Sequence, residues 1–164
     1  DMNKTPKDGF PYYLDLAGDL DGQTLFASTA TLSFLETISE EKSTFRYAPG
    51  KWSIKQVLGH IIDHERIKMY RAFWLSRNQQ LQLWGYDQEA LVQNARFDEQ
   101  PFQELLTDYK NVRKASHSFV CSLSTEQLQI KGKAKDQEVS LSDFLRTIIG
   151  HELHHVKILK EKYL

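Results

Sequence analysis

Histidine is the side chain best suited to ligate a metal or move a proton near neutral pH. The chain carries six: His60, His64, His117, His151, His154 and His155. On a helix that turns about 100° per residue, His151 and His155 lie about 40° apart and one turn along. Both imidazoles can then point at one spot, a bidentate half-site of the kind that serves zinc in helical His-Glu-x-x-His enzymes. The run His151-Glu152-Leu153-His154-His155 fits that pattern with Leu153 and His154 as the variable pair. Those enzymes take a third ligand downstream, and nine residues follow His155. A third ligand is therefore expected from a facing helix, and His60 leads, with Gly59 before it allowing close approach. His64 shares its face and could form a second pair with it. Asp63 could hold an imidazole as a hydrogen-bond acceptor. His154 is expected on the outer, solvated side, and His117 has no partner pattern.

The elements that must position these residues are helical. Apolar residues Leu25, Leu32, Phe34, Leu35 and Ile38 recur at helical spacing and predict a first helix over 21–38. After the Pro49-Gly50 turn, Ser53 and Gln56 form a capping box that opens a second helix from Ile54 to about Ser76. A turn at Trp84 to Asp87 and a short helical piece at Glu89 to Val92 follow. Asp98 is expected to cap a third helix, with Pro101 inside its first turn, ending near Ser122. Ser124 and Gln127 open a brief helix, 130–139 is a loop or small hairpin, and Ser140 with Asp143 opens a fourth long helix to about Lys162. Residues 1–18, with Pro6, Gly9 and Pro11, are read as an irregular arm. The expectation is one all-α domain over residues 1–164, a four-helix bundle.

Composition narrows the function. With 21 basic and 22 acidic residues the formal charge is −1, which leaves no basic footprint for nucleic acid. No apolar run approaches the roughly 20 residues of a membrane span. The N-terminal residues lack the apolar core of a secretory signal. Cys121 is the only cysteine, so no intramolecular disulfide is expected and a reducing cytoplasm is the simplest home. It is expected as a buried, inert thiol.

Tyr47 to Asp63 and Gly150 to Leu164, together with Arg66 to Arg77 and Gly85 to Gln88, resemble the DinB/YfiT-like family of metalloenzymes. The resemblance runs from about Asp19 onward. It implies a four-helix bundle not in simple up-down order, and a nickel or zinc ion held by three histidines, which fall on His60, His151 and His155. His64 stands where relatives usually carry Thr or Ser, so a fourth nitrogen could close the site. The resemblance also implies a small-molecule substrate, with activities of the thiol S-transferase or hydrolase type and a low-molecular-weight thiol as one candidate partner. Three imidazoles leave a coordination position open, the pattern of a catalytic site. Glu152, Asp63 and His64 are the candidates for the base. The contrasting reading is a non-enzymatic, stress-associated helical dimer whose histidines are structural.

Other side chains have two readings each. Trp52, Trp74 and Trp84, with Tyr47, Tyr70 and Tyr86, could line a cleft or fill a core. Glu65 and Glu152 sit near the centre of apolar stripes and need partners if buried, with Arg66 and Arg71 the candidates. Leu58, Ile61, Ile62, Met69 and Phe73, with Val57 and Leu75 beyond them, suggest a homodimer face. Ligation by ordinary imidazoles would fade as pH falls through about 6.5.

Overall fold

Ser53 accepts a hydrogen bond from Gln56 N, and Gln56 Oε1 accepts from Ser53 N at 3.0 Å. This reciprocal cap starts a helix that nothing in the following 23 residues interrupts. The computed structural model describes residues 3–80, 85–134 and 136–164. Its helices are α1 (Phe10–Ala17), α2 (Gly22–Ala27), α3 (Ala30–Leu35), α4 (Ile54–Ser76), α5 (Gln88–Ala95), α6 (Phe102–Cys121), α7 (Thr125–Leu128) and α8 (Leu141–Ile158). Strands β1 (Lys131–Ala134) and β2 (Gln137–Ser140) form a small antiparallel hairpin. After Ile158 the chain tightens into a π-helical turn over Leu159–Tyr163.

The bundle consists of the α2–α3 segment, α4, α6 and α8. Helix α4 packs on α6 and α8, and α2 packs on α6 and α8, so α2 faces α4 and α6 faces α8 across the centre of the bundle. The expected helix over 21–38 is broken, because Ser28 adopts extended backbone between α2 and α3. The expected irregular arm is largely helical. Pro11 occupies one of the first two positions of α1, where its missing amide costs nothing, and α1 lies along α8. Gly150 permits this approach, since a Cβ there would overlap the Tyr13 carbonyl oxygen.

Asp98 does not cap the third long helix. Pro101 is itself the N-cap, and Glu40 Oε1 accepts from Phe102 N at 2.7 Å in place of a local cap. Asp98 Oδ1 instead accepts from Ser53 Oγ at 2.5 Å, tying the turn before α6 to the start of α4. The turn expected at Trp84 to Asp87 begins outside the described residues, but Asp87 does cap α5 by accepting from Glu89 N and Ala90 N.

Val57, Leu58, Ile61 and Ile62 fill the protein's own core and are not a dimer face. Of the large apolar residues of α4, Tyr70 and Phe73 are the exposed ones, 52% and 43% accessible. No described helix is long and apolar enough to cross a membrane.

Candidate metal centre

Helices α4 and α8 cross where each carries a glycine followed by a histidine, Gly59-His60 and Gly150-His151. Each glycine is a point of close approach. A Cβ on Gly59 would overlap the Phe97 ring, as one on Gly150 would overlap the backbone of Tyr13. Neighbouring elements therefore press directly onto both helices at the level of the histidines.

His60, His151 and His155 each bring a ring nitrogen into one group whose members all lie within 4.8 Å of one another. His60 Nε2 and His151 Nε2 are 3.1 Å apart. Two nitrogens bound at about 2.0 Å to a tetrahedral ion are separated by about 3.3 Å. The donor set thus fits a divalent cation. His151 Nδ1, on the other side of that ring, is the one buried side-chain nitrogen or oxygen among the described residues without a hydrogen-bond partner.

The rings are held uncharged. Burial pushes His60 down from its ordinary value to about 4 and His155 to about 2. Burial likewise holds His64 and His151 well below the usual range, and the neighbouring imidazoles press the same way. Neutral imidazoles are the form that ligates a metal.

His64 does not join the ring of converging nitrogens. It lies face to face on His151, with centroids 3.5 Å apart and planes 12° from parallel. Trp52 supplies one wall, its ring 4.9 Å from that of His60, and Trp52 Nε1 donates to Glu89 Oε2 at 3.2 Å. Of the other aromatics, Tyr47 packs on Tyr163 and Tyr70 on Trp74, while Trp84 lies outside the described residues. A groove of about 520 Å³ reaches His64 and His151 from the surface between α1, α4 and α8.

His154 is half-buried rather than on an open outer face. It sits under α1, where the Tyr12 hydroxyl pairs with its Nδ1 at 2.8 Å and the Tyr13 ring meets it edge-on. His117 has a partner after all, because Cys121 Sγ lies one helical turn away at 3.4 Å from its Nε2. That thiol is exposed rather than buried. An i,i+4 count on α6 would have paired the two.

Glu65 and Glu152 are both buried, and Arg113 is their partner. Arg113 Nη2 donates to Glu65 Oε1 at 2.8 Å and to Glu152 Oε1 at 2.5 Å, and Nε donates to Glu65 Oε2 at 3.2 Å. The Tyr109 hydroxyl donates to Glu152 Oε1 at 2.8 Å. Arg66, expected in that role, binds Asp108 through both carboxylate oxygens. Burial raises the pKa of Asp63, which Arg66 partly offsets.

The sequence model of the DinB superfamily matches residues 23–159. No curated protein sequence matches the chain. Among solved structures, the chain is similar to YfiT from Bacillus subtilis, described as "a probable metal-dependent hydrolase with an unusual four-helix bundle topology". The match has a TM-score of 0.70 at 15% identity and covers 98% of this chain and 89% of that one.

Proposed function

The chain belongs to the DinB superfamily, and from that premise we propose that His60, His151 and His155 hold a divalent ion, nickel or zinc, in a metal-dependent enzyme. The reaction is of the hydrolase or thiol S-transferase type, on a small-molecule substrate, with a low-molecular-weight thiol as the co-substrate of a transferase. One observation carries this reading: three neutral imidazoles from two helices converge on one point, and one of them, His151, lines an open groove. Three protein ligands leave room for a reactant. When bound, such an ion supplies a Lewis acid and favours the deprotonated form of an attacking water or thiol.

The chain's own residues divide the remaining work. His64 is the base candidate that lines the groove, beside His151. Burial holds its pKa well below the usual range, so the neutral ring would orient the nucleophile by accepting a hydrogen bond rather than keep its proton. Glu152 is committed elsewhere, its Oε1 accepting from both Tyr109 and Arg113. Asp63 is not among the residues that line the groove. The sole cysteine, Cys121, is a free thiol, which suits a cytoplasmic setting. The exposed Tyr70 and Phe73 would seat a second copy of the chain, a homodimer that light scattering at micromolar concentration would detect.

Elemental analysis of tag-free protein tests the metal directly. Wild type should carry about one ion per chain, and His60→Ala, His151→Ala or His155→Ala should each abolish it. His64→Ala should keep the ion. A wild type that never holds a divalent ion overturns the reading and leaves the non-enzymatic helical protein in its place.

A further inference from the structure

The stripe of α4 that carries His60 and His64 continues. Lys68 lies four residues beyond His64 and Arg71 three beyond that, so all of them share one face of the helix. A rise of about 1.5 Å per residue sets Lys68 roughly 6 Å and Arg71 roughly 10 Å along the axis from His64. Both cations line the same groove as His64 and His151. The groove therefore has a histidine end and a cationic end.

Its walls between those ends are mostly apolar or aromatic, from Phe10 and Tyr13 of α1 and Phe144 of α8. Lys68 Nζ stands 5.7 Å from the centre of the Phe144 ring. Lys7 adds a third positive charge at the rim, and the carboxylates that line the groove are Asp8 and Asp136. Arg71 is partly buried, and that burial works against its charge. Cations set beside low-dielectric walls focus a positive potential into a cleft. A planar guanidinium also matches the two oxygens of a carboxylate or phosphate.

We propose that the Lys68–Arg71 end of the groove binds an anionic group of the substrate, a carboxylate or a phosphate. The substrate's reacting atom then lies roughly 6–10 Å away, at the histidine end. This deepens the metalloenzyme reading and rests on it for which end reacts. Arg71 grips two oxygens of the anion and Lys68 adds a point charge, while Phe144 and Tyr13 flank the body of the molecule. A substrate of this class is a small amphiphilic anion, not a neutral lipid or a polycation.

Three probes of similar shape test the subsite: phenylacetate for the carboxylate source, phenyl phosphate for the phosphate source, and phenylacetamide as the neutral control. Calorimetric titration of the protein as purified, at low ionic strength, should show binding of at least one anion and none of phenylacetamide. Lys68→Gln and Arg71→Gln should each weaken that anion about ten-fold or more, the loss of a charge-assisted hydrogen bond. Arg71→Lys should recover part of the loss, and Lys114→Gln, on exposed α6 surface, should change nothing. Circular dichroism checks that each variant is folded. Anion binding that survives Lys68→Gln with Arg71→Gln overturns the proposal, because the anion then sits on the ion or elsewhere. Binding of neither anion overturns it too. Metal content measured on the same samples separates the two readings. Protein that holds its ion but ignores both anions sinks the subsite alone. Protein without an ion that still binds an anion through Arg71 keeps the subsite and loses the metal.

Discussion

His64 and Glu65 are neighbours on α4, as His151 and Glu152 are on α8. A helix turns about 100° per residue, so each pair divides between two sides of the α4–α8 contact. The two carboxylates meet α6, where Arg113 and Tyr109 complete their hydrogen bonds within the chain. The two imidazoles turn the other way and meet His60 and His155. There the chain supplies bases and no counter-charge. None of those four rings hydrogen-bonds a carboxylate among the described residues, and His151 Nδ1 has no partner. A polar cluster closed by its own chain holds the bundle together, whereas one that converges without closing has chemistry left for a ligand. Two clusters one residue apart thus do opposite work.

The largest effect that could break this contrast is on the acid side of neutral. A histidine whose folded pKa lies below its unfolded value of about 6.5 takes up its proton more readily in the unfolded chain. Stability is then fully present above about 6.5 and is lost as pH falls toward the folded value, about 4 for His60. Each such ring removes about 1.4 kcal/mol per pH unit in that window. His64, His151 and His155 are shifted in the same direction. Chelator-treated protein should therefore lose roughly 5 kcal/mol in urea unfolding between pH 7.5 and 5.5. The metal-loaded protein should hold its ion below pH 6.5, in contrast to the fading expected of ordinary imidazoles. A flat profile for the stripped protein would mean that the cluster is wet and not the dry site described.

Next in size is the closed cluster. Arg113→Leu leaves Glu65 and Glu152 buried without their cation, which should cost about 3–5 kcal/mol. Metal per folded chain should stay unchanged, because Arg113 touches no imidazole. A loss below about 1 kcal/mol would show that the carboxylates reach water or another cation, and the structural role assigned to this cluster would fail.

The imidazole cluster was far more legible in the sequence than the carboxylate one. His151 and His155 announce themselves by local spacing, and an uninterrupted helix behind a capping box fixes His60 on its face. Arg113 lies 48 residues from Glu65 and 39 from Glu152, and only the placement of α6 across the bundle brings it to both. No local pattern encodes that. Arg66 and Arg71, close in sequence to Glu65, were the natural but wrong choice. The cation pair at the far end of the groove was visible in principle, since 60, 64, 68 and 71 form one stripe. Helix α1 was hidden by its own punctuation. Pro6, Gly9 and Pro11 read as irregular, yet Pro11 sits where a helix start tolerates it. The kink between α2 and α3 escaped because Ser28 and Thr29 interrupt the backbone without interrupting the apolar period.

The smallest effect concerns His154, which belongs to neither cluster. Its ring lies between α1 and α8, with the Tyr12 hydroxyl 2.8 Å from Nδ1. Burial lowers its pKa, and Lys157 adds to that, so the ring is a neutral hydrogen-bonding latch for α1. Helix α1 precedes the residues matched by the superfamily and forms a wall of the groove. Tyr12→Phe deletes one partly buried hydrogen bond and keeps the ring contacts with Tyr13 and His154, so it should cost about 1 kcal/mol. Amide exchange over Phe10–Ala17 should quicken while exchange in α4 holds, because the latch fastens α1 alone. Metal content should not move in Tyr12→Phe or in His154→Ala. Loss of the ion in either variant would place His154 inside the imidazole cluster. The boundary of the open cluster would then run through α1 and not along α8.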